Sequence, residues 1–252
     1  MAFLKKECMA QWRTGQVVIL GLLFVLFGVM NPAVAKLTPW LMEIMGQSLA
    51  SSGLIVTEVT ISAMDSWVQF FKNIPMALIV FVLLLGGILT EEYRCGTLIL
   101  SLTKGLSRKT ILLSKALVLA VMWTAGYWLC FAITYAYNAW YWDNAVAKNL
   151  LFAVFAWWEL GLWTVGLMVL FSAVANSGSG VALMTGGSFL MCYLLGLLPK
   201  LEGWMPTKLM NGNPLIYGLE TPEAYGKAAV IAGVMILAWV AAAIPILNKK
   251  QL

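Results

Sequence analysis

The chain has 252 residues, of which 62% are hydrophobic and only 11% charged, with a mean hydropathy of +0.87 and a net charge of +5. A water-soluble fold of this length cannot hide so much apolar surface, so the solvent is lipid and the expected class is all-α, a polytopic membrane protein. The absence of histidine removes the commonest general base and metal ligand. Cys8, Cys95, Cys130 and Cys192 are scattered without a C-x-x-C pair, which argues against a zinc site or a disulfide framework.

In chain order, residues 3–14 come first. Leu4, Cys8 and Trp12 recur every four residues, with Lys6 and Arg13 on the opposite face. That pattern suits an amphipathic helix lying in the membrane interface, or equally a charged flank that orients the first span. No small-residue cleavage site follows the first apolar run, so it reads as a retained span rather than a signal peptide. Six runs have the length and apolarity of spans, near 16–36, 74–90, 111–136, 150–175, 181–198 and 228–247. Asn31-Pro32 is expected to kink or end the first helix, because proline lacks the N–H and crowds the preceding turn. Leu49 to Met64 and Lys200 to Lys227 do not read as spans. Trp67, Phe70 and Phe71 stand beside Asp65 and Lys72 and suit the headgroup zone. Short interfacial pieces are expected in 199–227, and no soluble module interrupts the single membrane domain over 1–252.

Charge sets the orientation. The N-terminal segment, the 91–115 loop and the tail carry ten basic residues, and the opposite loops carry six. Both termini and the 91–115 loop are therefore expected on the cytoplasmic side. Topology thus accounts for the basic balance, and no nucleic-acid partner is called for.

The 91–115 loop holds Glu91, Glu92, Arg94, Lys104, Arg108, Lys109 and Lys115. It predicts a short helix, a turn at Gly105, and a new helix capped by Ser107, whose hydroxyl can accept from a free backbone N–H. Asn176–Gly180 predicts a tight turn between the fourth and fifth spans. Glu159 is the one acidic residue well inside a span, about 14 Å from its start if the span begins at Leu150. An ionisable group at that depth is a candidate for the translocation path.

The loop resembles that of ABC-2 type permeases, the membrane subunits of one class of ABC transporters. An acidic residue followed by Gly-Thr-Leu, then Ser-Arg and Lys, is matched by Glu92, Gly96, Thr97, Leu98, Ser107, Arg108 and Lys115. The motif covers about 25 residues, whereas the six spans and an N-terminal elbow helix (Leu4, Cys8, Trp12) extend the likeness over nearly the whole chain. The resemblance implies that Glu91 to Lys115, with Arg94, couples to an ATPase. It implies a multi-pass protein of the bacterial plasma membrane that pairs with a second permease copy, as a homodimer, above two ATPase subunits. Export of an amphipathic peptide or other hydrophobic cargo is the expected activity, as in peptide-export and immunity systems. The chain has no G-x-x-x-x-G-K-[ST] motif, so ATP and Mg are expected on the partner, with no catalytic residue, cofactor or metal in this chain. The alternative is an ATP-independent channel or secondary transporter. It would need paired intramembrane charges, and only Glu159 is available.

Overall fold

The computed structural model describes residues 2–50, 61–103 and 105–250, without the side chains of 2–5, 41–43, 45–50, 100 and 101. Lys104, the run around Glu58 and the side chain of Leu4 lie outside that description. The helices are α1 (Ala2–Arg13), α2 (Gln16–Ala50), α3 (Ala63–Leu85), α4 (Thr90–Arg94), α5 (Thr97–Thr103), α6 (Arg108–Tyr141), α7 (Leu150–Val174), α8 (Gly178–Gly196), α9 (Gly212–Ile216) and α10 (Gly226–Lys249). Among the described residues, six stretches are long and apolar enough to cross a membrane: Gln16–Trp40, Ala63–Arg94, Arg108–Tyr141, Leu150–Val174, Gly178–Gly196 and Pro222–Lys249. They coincide with the six expected spans, several of them extended at the ends.

The largest extension is in α3, which starts at Ala63 rather than near residue 74. Ser62 is its N-cap: the hydroxyl accepts from Met64 N–H, and the Asp65 carboxylate accepts from Ser62 N–H at 2.9 Å. This reciprocal box satisfies two backbone donors that a helix start otherwise leaves open. Trp67, Phe70 and Phe71 therefore belong to the helix, and they are buried in the protein core. With Ile74, Ala77, Leu78 and Phe81 they fall at three- and four-residue spacing, which makes one core-facing stripe. Trp67 stacks near Phe131, and its Nε1 donates to Asn144 Oδ1 at 3.1 Å, so its one polar atom is paired.

Of the two outcomes expected at Asn31-Pro32, the ending does not occur: Pro32 and Pro39 both lie inside α2. Pro32 has no N–H to offer the carbonyl four residues back, that of Gly28. The Thr134 hydroxyl of α6 takes that place, donating to Gly28 O at 3.1 Å. Asn31, fully buried, donates to Thr134 Oγ1 at 3.0 Å and accepts from Asn73 of α3 at 2.7 Å. One polar knot thus repairs the proline defect and joins three spans.

Two glycines let large rings into the core. A Cβ on Gly161 of α7 would overlap the Trp123 indole of α6, and one on Gly126 of α6 would overlap Phe24 of α2. Trp123 Nε1 donates to Trp158 O, and Tyr127 O–H donates to Val154 O, which fixes α6 against α7. The α7 span is the most enclosed, with 67% of its apolar window buried, whereas α8 buries only 11%. At one end of the bundle the backbones of α3 and α8 touch with no side chain between them: a Cβ on Gly178 would lie 2.9 Å from Gly87 backbone atoms, and one on Gly86 3.0 Å from Gly178 O. The 199–227 connection is made of short pieces, as expected. Three 3₁₀ turns (Glu202–Trp204, Pro206–Met210, Pro222–Tyr225) and α9 lie against the ends of α7, α8 and α10.

Candidate functional site

Apart from Glu159, the residues singled out by sequence lie at the end of the bundle where α1, the 90–115 segment and the tail meet. Gly96 (φ +68°) and Gly105 (φ +85°) take left-handed backbone that other residues resist, and they divide the segment into α4, α5 and the start of α6. Ser107 caps α6 as expected, accepting from Thr110 N–H at 3.2 Å. Ser177 does the same for α8, accepting from Gly180 N–H, so the 176–180 turn also stands.

Lys115 is almost wholly enclosed. Its ammonium lies 2.8 Å from Glu7 of α1 and 3.2 Å from Glu92 of α4, and donates to Ile88 O at 2.9 Å. Glu7 is 2% exposed, and its second oxygen lies 3.3 Å from Lys6, which also stands 3.7 Å from Glu92. Lys115 and the two carboxylates thus balance each other in a nearly closed site, with the exposed Lys6 at its edge. Burying such charges is tolerable only when they are paired. The cluster holds α1 against α4 and α6. Glu7 drew no notice in the sequence because a lone acid in a basic flank reads as incidental, and its partner lies 108 residues away.

Arg108 turns the other way. Its Nη1 donates to the carbonyls of Leu247 (2.7 Å), Asn248 (3.3 Å) and Lys250 (2.7 Å), at the C-terminus of α10. Lys250 in turn donates to Ala175 O at 2.6 Å, at the C-terminus of α7, and its ammonium sits 4.4 Å above the Tyr93 ring of α4. The last carbonyls of a helix lack intrahelical donors and carry partial negative charge, so a cation at each end satisfies both needs. Burial pulls the Lys250 ammonium below the ordinary lysine range.

The expected coupling residues therefore divide. Glu92, Leu98 and Lys115 face inward, with Leu98 in the core. Arg108 is half-buried against the tail. Glu91, Arg94, Thr97 and Ser107 are exposed, as is Ile99 on α5, and Gly96 forms the turn between them. Of the elbow stripe, Cys8 is exposed and Trp12 is 65% exposed.

Glu159 stands apart from this junction. It is half-buried on α7 and faces α10, where a Cβ on Gly233 would lie 3.5 Å from its Oε1. A separate apolar cavity of about 390 Å³ opens between α3 and α8, lined by residues such as Pro75, Val82, Thr164, Thr185, Phe189 and Tyr193. Glu159 is not among its walls.

The family model described as ABC-2 family transporter protein matches residues 1–216. This chain belongs to the ABC-2 transporter family. Membership makes it a membrane permease subunit of an ABC transporter, a transport rather than a catalytic chain, of a kind that works with an ABC ATPase partner. The ABC-2 chain is also similar to an uncharacterized transmembrane protein, YxlG, of Bacillus subtilis (strain 168). The two are 22% identical over 222 residues, covering 83% of this chain and 81% of that one. No solved structure matches. Family, relative and six apolar helices agree on a multi-pass bacterial membrane protein.

Proposed function

We propose that this permease is half of an ATP-driven exporter, with α4 and α5 receiving the motion of an ATPase subunit bound beneath them. The observation that carries the reading is the wiring of the junction. Glu92 and Lys115 fasten the segment to α1, Arg108 fastens it to α10, and Lys250 links it to α7. A push on the exposed Glu91, Arg94, Thr97 and Ile99 would thus reach several helices at once. Glu92, Arg108 and Lys115 transmit the push, and Glu91, Arg94 and Thr97 meet the partner.

The lightly buried α8 supports a second permease copy, as a homodimer, with two ATPase subunits holding ATP and Mg. A helix that buries 11% of its span within its own chain leaves an apolar face for a like face to cover. The cavity between α3 and α8 has almost no polar lining beyond Thr164, Thr185 and Tyr193, which favours a hydrophobic cargo or the apolar side of an amphipathic peptide. Glu159, facing α10, is assigned to coupling between α7 and α10 or to a lateral part of the path.

The test is purification from the native membrane into nanodiscs, followed by assay of ATP turnover and cargo release. An ATPase should co-purify, and Arg94→Glu should lower transport per ATP without loss of the fold. Absence of any ATPase in nanodiscs would overturn the reading in favour of an ATP-independent channel or secondary transporter.

A further inference from the structure

A second groove shares no wall residue with the α3–α8 cavity. It has a volume of about 420 Å³ and is walled by α1 (Cys8, Gln11, Trp12), the start of α2 (Leu20, Gly21) and α6 (Leu117 to Leu129). Along α6 it runs from Leu117 to Leu129, 12 helical rises or about 18 Å, close to the ~15 Å half-thickness of a bilayer's hydrocarbon core. It is therefore as deep as one leaflet.

Three features at the groove point to one occupant. Gly21 leaves an open notch in the wall of α2, since a Cβ there would meet nothing within 4 Å. Gln11 is 7% exposed, lines the groove, and its Oε1 has no hydrogen-bond partner. A buried amide oxygen without a donor is a costly arrangement unless a ligand supplies one. At the mouth stands the exposed Trp12 ring, suited to the headgroup level.

We propose that this groove binds one glycerophospholipid with a hydroxyl-bearing headgroup, from the leaflet on the basic side. An acyl chain fills the channel past Gly21, and a headgroup hydroxyl donates to Gln11 Oε1. The lipid so held would wedge α1 against α2 and α6. No covalent step is involved.

The test uses the purified full-length chain and native mass spectrometry with added phosphatidylglycerol or phosphatidylcholine. The wild type should retain one phosphatidylglycerol with about tenfold preference, because its headgroup hydroxyls can donate to Gln11 Oε1 and phosphatidylcholine has no such donor. Gly21→Leu fills the notch with a good helix former and should lower retention about tenfold, with helix content and melting unchanged. Should that variant fold poorly, Val121→Trp closes the groove from α6 and carries the same expectation. Gln11→Met should abolish the preference for phosphatidylglycerol. Equal retention by the wild type and the groove-filling variant, or no preference between the two lipids in the wild type, overturns the proposal.

Discussion

Lys115→Met removes a charge while nearly preserving volume. It leaves Glu7 without its 2.8 Å partner, Glu92 without its 3.2 Å partner, and the Ile88 carbonyl without a donor. Breaking a buried ion pair by deleting one member costs about 3–5 kcal/mol. Lys6 stays 3.3 Å from Glu7 but is 55% exposed and partly screened, so the lower part of the range applies, about 3 kcal/mol. That is roughly a hundredfold shift in the equilibrium between docked and undocked α1. The assay is reversible unfolding in mixed micelles, followed by circular dichroism, on Lys115→Met, Glu7→Gln and the double variant. The double variant should regain much of the loss, because it strands one fewer carboxylate. Strict additivity of the two single losses would refute the reasoning, since residues that share a buried pair must couple.

Thr134→Val should cost about 1–3 kcal/mol, because it leaves Gly28 O and the Asn31 amide unpaired, whereas Thr134→Ser should stay close to wild type in the same unfolding assay. Gly161→Ala forces a methyl against Trp123 and should destabilise by about 1–3 kcal/mol, with a change in tryptophan emission. Arg108→Ala removes donors to three carbonyls and should loosen the tail of α10, measurable as faster amide exchange over 244–250 while exchange in α7 near Leu160 is unchanged. Arg94→Glu, on an exposed residue, should leave all these readouts alone and alter only coupling to the ATPase.

The six spans were legible because each is a long, predominantly apolar run, and the turns at Gly105 and Ser177 because their residues have few other uses. The start of α3 was not. Asp65, Lys72, Asn73 and Pro75 interrupt its hydropathy, while the real marker, Ser62 with Asp65 three positions on, is a local cap easily lost beside a long apolar average. Continuity through Pro32 could not be read locally either, since the donor that makes it tolerable comes from Thr134, 106 residues later. The motif residues of the 91–115 loop were visible as a set, but their division into outward and inward members depends on Glu7 and on the tail carbonyls. Neither leaves a mark in the loop itself.

The bare contact of Gly86 and Gly87 with Gly178 makes α3 and α8 a wedge pinned at its apex. From that point α3 runs 11 residues to Pro75 at the cavity wall, a lever of about 16 Å. A swing of about 10° would therefore open the mouth by roughly 3 Å while the apex scarcely moves. With no side chains to repack at the pivot, such a swing meets little steric resistance there. The cavity of a single chain can thus open at the end away from that glycine pivot.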